Sequence, residues 1–316
     1  MSAATSRATP TTAVLLMAYG TPRNTSEILP YYTDIRRGRA PTPEQLLDLT
    51  ARYNAIGGIS PLLARTQSQR DALARQLDIV APGMYHVQLG FKHSQPAIEE
   101  TVADIAQHGF SNIVALVLAP HYSSYSVGQY LSRATQAAEQ LGIPISGITS
   151  WAIEPALINF LSKDLQDKLR VISYTSRRPH VLFTAHSLPQ RVVDNGDPYF
   201  EELRSTACAI ANNLGLSEGE QWSIAWQSAG RTPEPWIGPD ILTVINELAS
   251  GCVCDGIVIC ACGFVADHLE VLYDLDIEAR NVAKRHGIAF SRTQCVNDDS
   301  AVMSALAQRV LAARAE

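Results

Sequence analysis

Two short segments of the chain carry side chains that can bind a metal ion and move protons. In the first, an apolar run over residues 256–262 opens into the sequence CGFVADHLEVLYD, residues 262–274. Carboxylates recur there at Glu270, Asp274 and Glu278, and four-residue spacing places them on one face of a helix. Three like charges on one face repel one another, so such a face is either solvated or bound to a cation.

The second segment, FTAHSLP over residues 183–189, ends another apolar run and contains His186. Imidazole and carboxylate side chains both bind divalent metal ions, and imidazole accepts a proton near neutral pH. His186 at a strand end and Glu270 at a helix start therefore predict a site for a divalent metal in transit. His268 is expected instead to support the fold of its own loop.

Four of the six cysteines, Cys252, Cys254, Cys260 and Cys262, lie within eleven residues. Their spacing matches neither zinc knuckles nor ferredoxin patterns. Cys260 and Cys262 fall in an apolar run, where cysteine behaves as a small hydrophobic side chain. Inert packing is the favoured interpretation, and an iron–sulfur cluster or another bound metal is the alternative.

The composition is that of a globular protein: 316 residues, 46% hydrophobic, with a formal net charge of −6. An acidic chain has no general affinity for nucleic acid. No apolar run reaches the ~18–20 residues that a membrane span needs. Residues 1–12 are small and polar and lack the apolar core of a signal peptide, so we expect a disordered N-terminus and a cytoplasmic protein.

Apolar runs alternate with helix-period stretches along the chain. Continuous apolar strands are typical of parallel sheets covered by helices on both faces. The pattern predicts strands over residues 14–19, 87–90, 113–119, 145–149, 181–185, 223–227 and 257–262, and helices over 42–53, 62–77, 97–108, 128–141, 155–169, 199–214, 239–248, 269–286 and 300–313.

The two halves of the chain echo each other. Residues 14–22 align without gaps on residues 181–189, which places Tyr19 opposite His186. We therefore expect an α/β protein with two similar doubly wound parallel-sheet (Rossmann-like) lobes, residues 13–150 and 151–316, and a cleft between them. Ligands in such folds lie at the carboxyl ends of strands, and the last helix is expected to pack back on the first lobe.

Common nucleotide and hydrolase motifs are missing from the sequence. It has no G-x-G-x-x-G after the first strand, no Walker sequence and no G-x-S-x-G. Residues 31–39, which combine tyrosines and arginines, precede Arg52 and Tyr53. Guanidinium groups bind carboxylates in pairs of hydrogen bonds, so these residues suggest an anion site, with a charged surface loop as the alternative.

Taken in order, seven motifs resemble those of the ferrochelatase family over about residues 13–310. The similarity is closest to the bacterial monomeric branch that metallates coproporphyrin III, because that branch has tyrosine where Tyr19 stands. The motifs are MAYGTP (17–22), IRRGR (35–39), RY followed by GGISP (52–61), LAPHY (118–122), TAHSLP (184–189), WQS (226–228) and GFVADHLEVLYD (263–274).

The resemblance implies a role for each matched residue. His186 and Glu270 bind incoming Fe²⁺, and one or both receive the pyrrole protons. Tyr19 lies on the opposite face of the macrocycle as an axial ligand to the product iron. Asp274 and Glu278 match an outer acidic site that binds Mg²⁺ or passes metal inward. The residues that match porphyrin contacts are Tyr19, Arg36, Arg52, Tyr53, Ser60 and Tyr130.

The implied activity is insertion of Fe²⁺ into coproporphyrin III, with Fe²⁺ as a substrate and no cofactor required. Some relatives hold a [2Fe-2S] cluster through a cysteine before a Gln-Tyr pair and a cysteine-bearing tail. Here Gly128 precedes Gln129 and Tyr130, so that arrangement is missing. The alternatives are protoporphyrin IX as substrate, or a non-catalytic haem or iron carrier. A monomer that hands its product to a coproheme decarboxylase is expected.

Overall fold

The computed structural model describes residues 11–230 and 232–313. The chain forms two four-stranded sheets, and the strand pairs described within them are parallel. The first sheet consists of β1 Thr12–Ala18, β2 Tyr85–Phe91, β3 Asn112–Val117 and β4 Ile145–Ile148, and the second of β5 Pro179–His186, β6 Trp222–Gln227, β7 Gly256–Cys260 and β8 Ala289–Arg292.

Both sheets have the same topology. Their strand orders are β2-β1-β3-β4 and β6-β5-β7-β8, so β1 and β5 occupy equivalent inner positions. Every residue of β1 is buried, as expected for an inner parallel strand with helices on both faces. The predicted α/β fold of two similar doubly wound lobes is confirmed.

Helices connect successive strands and cover the sheets. A 3₁₀ turn, Thr25–Glu27, precedes the first of them, and a π-helix, Val271–Ala279, lies between the ninth and the tenth. The α-helices are α1 Ile28–Ile35, α2 Pro43–Ala55, α3 Leu62–Val80, α4 Ile98–Gln107, α5 Val127–Gln140, α6 Pro155–Ile172, α7 Gln190–Asp194, α8 Tyr199–Leu214, α9 Ile241–Ser250, α10 Arg280–Arg285 and α11 Ser300–Ala312.

Local sequence explains where several helices begin. Thr42 and Gln45 form a capping box at the start of α2, with Pro43 in its first turn. Proline there costs no hydrogen bond, because the first backbone N–H groups of a helix lack intrahelical acceptors. The Asp299 carboxylate accepts hydrogen bonds from the backbone N–H groups of Ala301 and Val302 at the start of α11.

One hydrophobic core runs between the two sheets. It joins Leu16 and Phe91 of the first sheet to Phe183 of the second, and includes residues of α3, α6 and α11. The last helix, α11, contacts both α3 and α6. Because a shared core of this kind is closely packed, it fixes the positions of the ends of β1 and β5 relative to each other. The proposed division between residues 150 and 151 stays a prediction.

Three local expectations were wrong or incomplete. The helix predicted over residues 269–286 is a π-helix over Val271–Ala279, followed by α10. The short elements α1, α7 and β8 were not predicted, because each has too few residues for a clear period. The tail expected over residues 1–12 lies outside the described residues up to position 10, and Thr12 already begins β1.

Among the described residues, no helix has both the length and the apolar character needed to cross a membrane.

Candidate active site

His186 is the last residue of β5, and its ring points into the cleft. Its Nδ1 lies 2.5 Å from the carbonyl oxygen of Ser187. A carbonyl oxygen only accepts, so Nδ1 carries the hydrogen of the neutral ring and Nε2 is the coordinating nitrogen. The Tyr199 hydroxyl donates a 3.0 Å hydrogen bond to the carbonyl oxygen of His186. This contact anchors the end of the strand.

Glu270 comes directly before the π-helix and faces His186. His186 Nε2 lies 3.6 Å from Glu270 Oε1, and the two side chains are 36% and 37% exposed. The second oxygen, Oε2, lies 3.5 Å from His268 Nε2. The two side chains that the sequence predicted to meet are therefore close together, and their shared role in metal binding stays a prediction.

His268 contacts Glu270 as well as its own loop, which the sequence did not predict. Its Nδ1 lies 2.9 Å from the carbonyl oxygen of Ala266, which matches the expected role in the loop. Its Nε2 also faces Glu270, so the carboxylate lies between two imidazoles. The position of His268 two residues before Glu270 was the only signal in the sequence.

Gly263 allows the loop that carries His268 and Glu270 to cross the end of β5. Its backbone N–H donates a 2.9 Å hydrogen bond to the carbonyl oxygen of Thr184. A Cβ at residue 263 would lie 2.3 Å from the Cβ of Ala185. Only glycine permits an approach this close, and the approach brings Glu270 within reach of His186.

The two charged groups stabilise each other. Burial opposes the charged form of His186, but the charge and hydrogen bond of Glu270 outweigh it and raise the pKa of His186 to about 9. Burial likewise opposes the charged form of Glu270, and His186 and His268 lower its pKa below the usual range. At neutral pH the two side chains therefore form an imidazolium–carboxylate pair. A metal ion that binds Nε2 must displace its proton.

Asp274 lies behind this pair, on the π-helix, and is buried. The Ser228 hydroxyl donates a hydrogen bond to Asp274 Oδ2, and Arg52 Nη1 lies 3.6 Å from Oδ1. Burial raises the pKa of Asp274 to about 7, with further contributions from the charges of Glu270 and Glu278 and opposition from Ser228 and Arg52. Asp274 can therefore gain or lose a proton near neutral pH.

Arg52, one of the expected porphyrin contacts, lies beside the carboxylates of Asp274 and Asp48. Its Nε lies 3.2 Å from Asp48 Oδ2, and its guanidinium carbon lies 4.8 Å from the centroid of the Tyr273 ring. Carboxylates of Asp274 and Glu278 are the oxygen ligands that Mg²⁺ prefers. A magnesium ion at Asp274 would have to replace the Arg52 guanidinium.

Tyr19 follows β1 and stands at the position equivalent to His186 in the other sheet. It is 41% exposed, and its ring centroid lies 4.6 Å from that of His93. The Asp34 carboxylate holds His93 Nδ1 at 2.7 Å. Loss of hydration and the charge of Glu270 raise the pKa of Tyr19. Tyr19 and Glu270 are therefore within electrostatic range across the cleft.

Further phenol groups gather around Tyr19. Burial, with smaller contributions from Tyr53, Tyr19, Glu270 and Tyr130, raises the pKa of Tyr31. Tyr31 and these three other tyrosines therefore lie within electrostatic range of one another, and we call the four the phenol cluster. The Tyr31 hydroxyl donates a 3.2 Å hydrogen bond to the carbonyl oxygen of Gly20. The sequence identified Tyr31 only as part of residues 31–39, which combine tyrosines and arginines. Its position near the other three phenols depends on tertiary packing, which no local pattern shows.

The remaining expected porphyrin contacts have structural partners as well. Ser60 is buried, and its Oγ accepts a 3.2 Å hydrogen bond from the backbone N–H of Leu62 at the start of α3. Arg36 follows α1, and its Nε donates a 3.2 Å hydrogen bond to the carbonyl oxygen of Arg39. The Arg36 guanidinium carbon also lies 5.7 Å from the centroid of the Tyr32 ring. Its side chain has no carboxylate partner among the contacts of the described residues, and a ligand carboxylate can replace the Arg39 carbonyl oxygen.

The four clustered cysteines do not meet at one point. Cys254, Cys260 and Cys262 are buried, whereas Cys252 is exposed. Within residues 11–230 and 232–313, no three histidine, cysteine, aspartate or glutamate side chains are grouped so as to hold a metal ion. The assignment of His186 and Glu270 as iron ligands stays a prediction.

Comparison with known proteins supports the same interpretation. The sequence profile of the Ferrochelatase family matches residues 11–314. The chain belongs to the ferrochelatase family. It is 44% identical over 301 residues to coproporphyrin III ferrochelatase 1 of Bacillus cereus strain ATCC 10987, covering 94% of this chain and 96% of that protein. It is 42% identical to the ferrochelatase of Herpetosiphon aurantiacus, over 93% and 96% of the two chains.

Solved structures support the ferrochelatase fold independently of sequence. The sirohydrochlorin chelatase SirB of Bacillus subtilis subspecies spizizenii, in complex with cobalt, aligns over 95% of this chain and 94% of its own with a TM-score of 0.58 and 11% identity. SirB from Bacillus subtilis with Fe³⁺ aligns over 96% of both chains with the same TM-score and 13% identity. At these identities the likeness concerns the fold alone.

Proposed function

We propose that this protein inserts Fe²⁺ into coproporphyrin III to give Fe-coproporphyrin III (coproheme) in haem b synthesis, with release of two protons. The observation that carries the proposal is the His186–Glu270 pair at a strand end, opposite a phenol from the other lobe. Relatives named coproporphyrin III ferrochelatase at 42–44% identity support the choice of substrate.

His186 Nε2 and Glu270 receive the iron. Two ligands, one nitrogen and one carboxylate, suit Fe²⁺ but hold it less firmly than a closed cage of thiolates would. Weak binding serves the reaction, since the ion must leave these ligands for the four pyrrole nitrogens. Arrival of iron releases the proton that His186 carries beside Glu270 at neutral pH.

Departure of the iron leaves His186 Nε2 as a base beside the ring. Because Glu270 stabilises the imidazolium, His186 can accept a pyrrole proton at neutral pH. Asp274 lies next along the same side and changes its protonation state near pH 7. A second proton can leave through Asp274 toward Glu278 and solvent. Both pyrrole protons then have acceptors within the site.

Residues of the first lobe bind the porphyrin. Tyr19 approaches the ring from the face opposite His186 and ligates the iron of the product. Arg36 and Arg52 attract the propionates, and guanidinium groups do this well because each offers paired donors. The buried side chains that complete the slot are Tyr53, Ser60 and Tyr130.

A single-turnover absorbance experiment tests the proposal. Ferrous iron mixed anaerobically with the protein and metal-free coproporphyrin III should convert the free-base spectrum to the metalloporphyrin spectrum much faster than without protein. Protoporphyrin IX in place of coproporphyrin III should react more slowly. If the protein binds porphyrin without accelerating iron insertion, it is a carrier and the proposal is wrong.

The setting of this reaction is also part of the proposal. We infer that the protein works in the cytoplasm as a monomer and passes Fe-coproporphyrin III to a coproheme decarboxylase. The elution volume of the pure protein in size-exclusion chromatography tests the monomer directly.

A further inference from the structure

A cavity of about 340 Å³ adjoins the Tyr19 side of the cleft. Its wall includes His93, whose backbone N–H donates a 3.0 Å hydrogen bond to the carbonyl oxygen of Tyr19. Tyr31, a member of the phenol cluster, also lines it. The cavity is therefore next to the expected position of the porphyrin rim, and no role in the preceding mechanism uses it.

Two of the three basic side chains that line this cavity are neutralised by glutamates. Arg23 pairs with Glu27, with its Nη2 2.6 Å from Oε1. Arg133 makes two hydrogen bonds of 2.6 Å to the two carboxylate oxygens of Glu99. Each of these arginines therefore has a carboxylate partner of its own. The Asp34 carboxylate, which also lines the cavity, lies 2.7 Å from His93 Nδ1.

Lys92 is the third basic side chain of the cavity, and it differs from the two arginines in having uncharged partners. In the part of the chain that the structure describes, its Nζ donates a 2.7 Å hydrogen bond to Gln129 Oε1 and lies 5.0 Å from the centroid of the Tyr130 ring. Neither partner carries a negative charge. Burial, together with the positive charges of Arg133 and Arg37, lowers the pKa of Lys92 to about 8.

A partly buried ammonium group whose partners are neutral is unfavourable unless an anion joins it. The protein keeps this group beside Tyr130 rather than pairing it, as it pairs Arg23 and Arg133. The cavity has room for an arm of a ligand, and a carboxylate there would gain a charge-assisted hydrogen bond to Nζ.

We propose that Lys92 binds a carboxylate arm of the porphyrin at this cavity. The inference rests on the proposed function, which supplies a ring with four such arms. Lys92 is then a substrate-binding residue on the same wall as Tyr19 and Tyr130, at a separate point from Arg36 and Arg52.

Fluorescence titration of metal-free coproporphyrin III with the full-length protein tests the proposal. Lys92→Met keeps the length of the side chain and removes its charge, so the Kd should rise about tenfold to a hundredfold, as for loss of a hydrogen bond to a charged group. Added salt should weaken binding less in this variant than in the wild type. Lys92→Arg should restore affinity.

Lys168→Met is the matched control, because Lys168 is paired with Asp164 on α6. It should leave the Kd unchanged. An unchanged Kd in Lys92→Met overturns the inference, and so does equal weakening in Lys92→Met and Lys92→Arg, which would indicate a packing role. These titrations measure porphyrin binding alone and do not depend on iron insertion. Failure of the wild type to insert iron would instead count against the proposed function.

Discussion

Gly263→Ala tests whether the close passage of the site loop over β5 sets the catalytic geometry. The new Cβ would lie 2.3 Å from the Cβ and 2.6 Å from the Cα of Ala185. Non-bonded carbon atoms rest about 3.5–4.0 Å apart, so the loop and the strand must separate by roughly 1 Å or more. The contact involves backbone, so no side-chain rotation relieves it.

This displacement acts directly on the two proposed iron ligands, His186 and Glu270. His186 follows Ala185 on the strand, and Glu270 follows Gly263 on the loop. A misplacement of about 1 Å can cost on the order of 100-fold in rate, which corresponds to about 2.7 kcal/mol in the activation barrier. We expect kcat for iron insertion to fall about 100-fold, with stability reduced by about 1–3 kcal/mol through overpacking.

The assay is steady-state iron insertion, accompanied by urea unfolding and by porphyrin titration. Affinity for coproporphyrin III should persist, because Tyr19 and its neighbours belong to the other lobe. Gly238→Ala is the control, since the nearest atom to its added Cβ would be the backbone nitrogen of Asp240 at 3.9 Å. A folded Gly263→Ala protein with wild-type kcat would refute the reasoning.

Three further predictions concern single side chains. His186→Ala should lower the rate of iron insertion by at least about 100-fold while leaving porphyrin affinity unchanged, because it removes both a ligand and a base; a stopped-flow rate near that of the wild type would exclude His186. Tyr19→Phe should change the visible absorption spectrum of bound Fe-coproporphyrin III, and an identical spectrum would argue against phenol ligation. Burial lowers the pKa of His121 from 6.5 to about 3, so the unfolded chain alone takes up a proton below about pH 6.5. The contribution of the neutral ring to the free energy of unfolding is complete above that pH. It is lost as the pH falls, and the loss reaches about 2 kcal/mol at pH 5. Urea unfolding at several pH values should show this loss in the wild type and a smaller one in His121→Gln, whose amide can still bond Thr206 as the imidazole does.

Elements with a strong local pattern could be predicted from the sequence. The apolar run before His186 is long, uninterrupted and followed by a proline, and it is the buried strand β5. By contrast, β8 has four half-buried residues, AFSR, and its strand form depends on pairing with β7. The π-helix Val271–Ala279 has the same apolar spacing as an α-helix would, so periodicity could not distinguish the two.

The sequence motifs named the candidate site residues and predicted that His186 and Glu270 lie close together, but the other contacts of these residues could not be predicted. His186 and Glu270 are recognisable because each follows an apolar strand in a motif of characteristic order. The contact of His268 with Glu270 depends on a loop turned back by Gly263. Arg52 belongs to the first lobe and Asp274 to the second, so they are far apart in the sequence. Their side chains approach each other only because the two lobes pack together.

The sequence by itself determined the kinds of element, their repetition in two halves and the residue types able to bind iron and accept protons. These properties follow from local periodicity and from the chemistry of individual side chains. Only the tertiary structure decided which charges are paired and which are left for a ligand. Glutamates neutralise Arg23 and Arg133, whereas Lys92 has neutral partners. The physical reason is that charge pairing and burial depend on distances between segments far apart in the chain, which no local pattern records.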